Sequence, residues 1–178
     1  SFVLYDSAND AWQIYNKEQA QTRLTPVSTY KIYSALLGLE AGIISPEHSR
    51  IAWDGKPYPF DSWNGDQTLD SAMEHSVTWY FQSIDRQAGK PLIRDFIQKI
   101  GYGSQTVTGD ISTYWTDSTL SISPIEQVEL LQKFQKNQFG FSPENVNAVK
   151  ESIHLYAADG GDVYGKTGTR GEQGRNTL

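Results

Sequence analysis

An α+β fold is what the sequence predicts, and three observations predict it. Strand-like alternation opens the chain, helical signals fill its middle, and a strand pattern returns near its end. Strands so far apart in sequence must meet across the helical middle.

The elements follow in order. FVLYD and AWQIYN alternate around the turn SAND, with Trp12 and Ile14 on one side and Gln13 and Tyr15 on the other, which predicts a hairpin. PVSTYKIYSALLGLEAG predicts a helix from about Ser28 to Gly42. Its Tyr30, Ile32, Tyr33, Ala35, Leu36, Leu37 and Leu39 leave little polar face, so the helix is buried and carries Lys31 inward with it. After SPEH, the aromatic, Gly- and Pro-rich stretch from Trp53 to Gly65 supports no regular element and reads as a long packed loop. Helices are expected around SAMEHSVTWYFQSIDRQ, PLIRDFIQKIG, SPIEQVELLQKFQK and SPENVNAVKESIHLY. The last two open with Ser as N-cap and Pro at the first helical position, and Ser123 with Glu126 makes a capping-box pattern. DVYGKTGT reads as a strand and RGEQGRNTL as a loop. No repeat, low-complexity tract or linker interrupts the chain.

With 178 residues, 38% of them hydrophobic, the chain can bury a real core in one compact domain, with room for two lobes. A net charge of -6 with no basic run argues against nucleic acid, whose phosphates demand cation clusters, and leaves small or uncharged partners. No apolar stretch approaches the roughly 20 residues that span a bilayer, and the N-terminus lacks signal-peptide features, so any anchor is expected outside this sequence. Cysteine is absent, which removes disulfides and thiol chemistry. His48, His75 and His154 form no H-x-x-x-H pair, so no metal site is expected.

The chemistry starts at Ser28 and Lys31. Residues three apart on a helix share a face, so the amine can reach the hydroxyl, and burial lowers an amine's pKa by penalising its charged form. A neutral amine is a base. It can take the Ser28 proton during attack on a carbonyl, while backbone N–H groups at the helix start stabilise the oxyanion. S-x-x-K alone is a trivial spacing. Two further features give it weight: Ser76 at a break between helical stretches, where a second hydroxyl can relay a proton, and Lys166, Thr167 and Gly168 on the closing strand. Singly, Ser76 reads as a cap and K-T-G as a strand-end turn.

Together they resemble a known family. STYKIYSALLGLEAG, the WDG of Trp53 to Gly55, AMEHSVTWYFQ, the YGS of Tyr102 to Ser104, YWTDSTLSIS and YGKTGT are similar to the class D β-lactamases and, more closely, to the extracellular penicillin-sensor domains of BlaR/MecR receptors. The resemblance runs from the first hairpin to about Arg170. It implies one penicillin-binding sensor domain over residues 1–178, in the serine β-lactamase and penicillin-binding-protein fold, with a helical lobe packed on an α/β lobe that holds an antiparallel sheet. It implies Ser28 as the acylated nucleophile, Lys31 as its general base and Ser76 as proton relay. Thr78, Trp115, Lys166, Thr167 and Thr169 complete the implied binding set, with Trp115 beside Lys31 and the amides of Ser28 and Thr169 as oxyanion hole. The implied partners are β-lactam antibiotics and the membrane-embedded remainder of a receptor, with the domain on the extracellular face.

Departures refine the reading. Class D enzymes carry S-x-V at the Ser76 motif, and the apolar third residue lines a pocket where the lysine is carboxylated for deacylation. Thr78 stands there, and a hydroxyl beside the amine disfavours a carbon dioxide-derived carbamate on Lys31, so no cofactor is expected and the adduct is expected to persist. The family's Y-G-N is here Tyr102, Gly103 and Ser104, and Ser104 is given no role. Two further strands and a terminal helix are implied after the K-T-G strand, the strands lying between it and the first hairpin. Only nine residues follow Thr169, so the sequence reads as truncated and the basic residue for the substrate carboxylate goes unnamed.

Two rivals remain. GGDVYGKT from Gly160 to Thr167 matches the P-loop pattern G-x-x-x-x-G-K-[ST], which requires a buried strand before it and a helix after it. Here a helical stretch precedes and a Gly-rich loop follows. The other rival is a structural or peptide-binding module with a dead site.

Overall fold

The computed structural model describes residues 1–117 and 119–169. Strand β1 (Phe2–Asp6) pairs antiparallel with β2 (Ala11–Tyr15), Phe2 opposite Tyr15 and Asp6 opposite Ala11. The turn closes because the Asp6 carboxylate accepts the backbone N–H groups of Ala8 and Asn9, while Asp10 takes φ 49 and accepts the Tyr5 hydroxyl. A short helix α1 (Lys17–Gln21) follows, which the sequence reading does not contain. Asn16 caps it, its side chain accepting from the Gln19 N–H.

The predicted buried helix is two pieces. A 3₁₀ turn spans Val27–Tyr30, and α2 runs Lys31–Glu40 with every residue from Lys31 to Leu39 buried. It packs mainly on α4 (Thr78–Ile100) and α6 (Pro143–Ser152). At the α2–α4 crossing a Cβ on Gly38 would stand 2.8 Å from an Ile84 methyl carbon, so only glycine allows that approach. Tyr30, Tyr33, Tyr102, Tyr114 and Trp115 cluster under the start of α2, with edge-on pairs at 5.2 to 5.4 Å. Such pairs add about 0.5–1.5 kcal/mol each beyond their buried area.

Helix α3 (Leu69–Glu74) ends two residues before Ser76, and α4 begins two residues after it. The break at Ser76 is therefore where the sequence places it. Gly89, at φ 73 and ψ 160, kinks α4 and separates the two helical stretches expected there. Helix α5 (Pro124–Gln135) has both hydrogen bonds of the expected capping box. The Ser142 side chain makes no cap hydrogen bond on α6. Glu40 at the end of α2 ties down the start of α6, accepting from the Ser142 N–H and the Asn145 side-chain amide.

The chain end corrects the sequence reading. Helix α6 stops at Ser152, and His154–Ala158 forms β3, paired with β4 (Gly161–Tyr164) across the Asp159–Gly160 turn. The helical reading of SIHLY missed this hairpin, although Asp-Gly is a strong turn signal and Gly160 takes φ 105. Residues 165–169 form no strand, so Lys166 and Thr167 follow the strand rather than lie in it. Among the described residues the two hairpins form separate two-stranded sheets, which fits the α+β expectation of antiparallel strands around a helical middle. A groove of about 710 Å³, lined by Val3, Tyr5, Leu131, Phe134, Ile153 and Tyr164, keeps them apart.

Candidate active site

The nucleophile candidate is held from three sides. Leu24 and Ile122 exchange backbone hydrogen bonds, bringing the segment before Ser28 against the loop that leads into α5. Val27, next to Ser28, takes φ 46, a left-handed conformation costly for a β-branched residue, and its N–H donates to the Trp115 carbonyl. Thr29 donates to the Pro26 carbonyl and accepts from the Gln127 amide. Strain at Val27 is thus over-determined by its neighbours, which fixes where the Ser28 hydroxyl emerges.

Lys31 opens α2 with no solvent exposure. Its Nζ donates to the Ser76 carbonyl at 2.5 Å, the Ser76 Oγ at 3.0 Å and the Thr78 Oγ1 at 3.1 Å. The rings of Trp63, Phe81 and Trp115 surround it at 5.9, 5.7 and 5.6 Å. Burial chiefly, and repulsion from Lys166 secondarily, bring the Lys31 amine down to about 7. At neutral pH a large fraction is therefore the free base.

Ser76 connects the two amines. It occupies the left-handed region at φ 54 between α3 and α4, and its Oγ accepts from both Lys31 and Lys166, the latter at 2.9 Å. With both lone pairs engaged, its own proton is directed to a third partner. Burial also lowers the Lys166 amine. The glycine of K-T-G has a physical reason. A Cβ on Gly168 would sit 2.9 Å from methyl carbons of Val27 and Thr29 and 3.2 Å from the Pro26 carbonyl, so residues 166–169 lie flat against the Ser28 turn.

A cavity of about 280 Å³ opens between these segments, lined by Ser28, Ser76, Thr78, Thr167 and Thr169 from the expected set. Lys31 and Lys166 join it through Ser76. Trp115 is fully buried and stands behind Lys31 instead of on the cavity wall. Sequence reasoning missed Phe60, Ser62, Trp63 and His75 on the wall. The signal for the first three was the aromatic loop itself, since Phe60 stays 59% exposed at the site mouth where a purely packed loop would bury it. The arrangement offers a hydroxyl, a neutral amine, a relay hydroxyl and an ammonium around one small space. That set suits attack on a carbonyl and capture of the resulting anion.

The P-loop reading does not survive. Its glycine-rich segment holds strand β4, and no helix opens at Lys166 or Thr167, so no helix N-terminus cradles phosphate there.

Comparison with known proteins agrees with this geometry. The model of the penicillin binding protein transpeptidase domain matches residues 1–177. The chain is similar to the regulatory protein BlaR1 of Bacillus licheniformis, 47% identical over 170 residues, which cover 94% of this chain and 28% of that protein. The chain thus spans under a third of that curated relative. The solved C-terminal domain of the Bacillus licheniformis BlaR penicillin-receptor superposes with TM-score 0.94 at 45% identity, covering 97% of this chain and 70% of that one. A class D β-lactamase from Bacillus subtilis superposes with TM-score 0.91 at 37% identity, covering 94% of this chain and 71% of that one.

Proposed function

This chain belongs to the penicillin binding protein transpeptidase family, in the group of BlaR/MecR penicillin receptors and class D β-lactamases, and from that membership we propose that it is a β-lactam sensor. Ser28 attacks the strained amide carbonyl of the drug, Lys31 accepts the hydroxyl proton and passes it to the Ser76 Oγ, and Ser76 hands its own proton to the departing ring nitrogen. The C–N bond breaks, an ester to Ser28 forms, and no atom leaves the adduct. Lys166 and Thr167 face the drug, and the amides of Ser28 and Thr169 hold the oxyanion. The domain works on the extracellular face of a membrane, joined to the rest of a receptor. No helix of the described residues is long and apolar enough to cross a membrane itself.

One observation carries the choice of sensor over hydrolase. The Thr78 hydroxyl, 3.1 Å from the Lys31 Nζ, gives the amine a third protein acceptor. That hydroxyl keeps the uncarboxylated amine hydrogen-bonded and makes its pocket more polar, which disfavours retention of a carbamate on Lys31. Intact-mass spectrometry after mixing with penicillin tests the reading. A single adduct that persists for hours is expected, and rapid release of penicilloate over many turnovers makes the chain a class D-type β-lactamase.

Two variants sharpen it. Thr78→Val removes the third acceptor with little change of shape, so the neutral amine becomes fully satisfied by Ser76. Bicarbonate should then speed adduct loss at least about tenfold, and ¹³C NMR with labelled bicarbonate should show a carbamate signal. If the variant keeps its adduct as long as wild type does, Thr78 is not what preserves it. Gly168→Ala should slow acylation by roughly tenfold to a hundredfold, because a displacement near 1 Å at a reacting centre costs about that much. Its melting temperature should stay within a few degrees of wild type, and an unchanged acylation rate would show that residues 166–169 need not lie so close.

A further inference from the structure

Asp85 on α4 is fully buried and forms no salt bridge among the described residues. A carboxylate kept from water costs several kcal/mol unless donors replace its hydration, by general estimates of about that order. Its donors are few and specific. Oδ2 accepts the Trp115 indole N–H at 2.8 Å, and Oδ1 accepts the Ser34 hydroxyl at 3.0 Å.

The Tyr114 hydroxyl also reaches the Asp85 carboxylate, and of these partners Trp115 builds the acylation site while Ser34 sits beside it. Ser34 stands three residues after Lys31 on α2, on the same face. The Trp115 ring packs 5.6 Å from the Lys31 Nζ, and its carbonyl accepts the Val27 N–H beside Ser28. One residue thus touches both the base and the turn of the nucleophile, and Asp85 holds that residue by its only polar side-chain atom. We infer that Asp85 is a positioning residue, pinning the Trp115 indole against Lys31 and, through Trp115, fixing the Val27–Ser28 turn. The inference rests on the proposed acylation of Ser28.

The test uses Asp85→Leu, Asp85→Asn, Trp115→Phe and the double variant Asp85→Leu with Trp115→Phe. It is run at pH 8, above the value of about 7 to which burial pushes the Asp85 carboxyl against the pull of Trp115, Ser34, Tyr114 and the Arg86 charge. Acylation is followed by intact mass, and the ¹³Cε titration of Lys31 is followed by NMR with no penicillin present. Asp85→Leu fills the space but accepts no hydrogen bond, so acylation should slow at least about tenfold and the Lys31 midpoint should rise as a looser wall admits water. Asp85→Asn still accepts the indole proton through its amide oxygen and should stay within about threefold of wild type. Trp115→Phe removes the same hydrogen bond from the other end and should repeat the Leu result, with under about threefold further slowing in the double variant. Wild-type rates in Trp115→Phe overturn the inference, as do an Asn variant as slow as Leu or independent slowing in the double variant. Should Asp85→Leu not fold, Trp115→Phe and Asp85→Asn still decide it. Should wild type take no label at all, the acylation reading falls alone, and an unchanged Lys31 titration in Trp115→Phe is what overturns the positioning.

Discussion

Ser28→Ala is expected to take no covalent penicillin label under conditions in which wild type gains one adduct. Ser28 shares the cavity wall with Ser62, Thr167 and Thr169, and the proposed roles give the attack to Ser28, since two other wall hydroxyls carry different work: Ser76 Oγ accepts from two amines, and Thr78 Oγ1 accepts from Lys31. Loss of a nucleophile leaves nothing to form the ester. The fold should survive, because the Val27–Tyr30 turn is held by backbone contacts and by Thr29. The cost should be within about 1 kcal/mol, or a few degrees in melting temperature for a chain of this size. Intact mass and a thermal scan on the same sample separate the two effects. Equal labelling of variant and wild type, with the label mapped by peptide mass, would move the nucleophile elsewhere.

How far the sequence foretells this site depends on the range over which each feature is specified. The Ser123–Glu126 capping box is local, and both of its hydrogen bonds form as read. Lys31 was legible because a cation inside an apolar helix conflicts with burial, and such conflicts gather at functional positions. Ser76 was legible as a break, and its φ of 54 is the physical form of that break. Ser142 shows the limit. Its Ser-Pro signal marks the start of α6, yet its side chain makes no cap hydrogen bond and its N–H donates to Glu40, 102 residues away. The β3–β4 hairpin was hidden because IHLY continues the apolar spacing of α6, and the Asp159–Gly160 turn outweighs that spacing once β4 offers a partner. Asp85 was invisible for the same reason, since what gives it meaning lies 30 and 51 residues off.

Lys31→Met should abolish efficient acylation and, at the same time, stabilise the protein below neutral pH. The rate should fall by about 10²–10⁴-fold, the usual contribution of a positioned general base. In wild type the acylation rate should climb with pH around 7, where burial and Lys166 place the Lys31 amine, and in the variant that ascending limb should vanish. Stability follows from the same displacement. The amine falls from its ordinary 10.5 to about 7 on folding, so between those values the unfolded chain holds a proton that the native chain has released. Wild-type stability therefore rises with pH across that window, and below 7 the full penalty stands, at most roughly 5 kcal/mol at about 1.4 kcal/mol per unit. Methionine fits the box of Trp63, Phe81 and Trp115 without a charge. It also orphans the Ser76 carbonyl and the Thr78 hydroxyl, at about 1–3 kcal/mol for each group left unpaired. At the lower end of that cost the balance favours the variant by a few degrees at pH 6, and it turns against the variant near pH 10, where wild type no longer bears the penalty. Thermal scans at both pH values decide the matter. The same gap between variant and wild type at pH 6 and pH 10 would mean that Lys31 is held at little cost, and its amine would then be too fully protonated to act as the base.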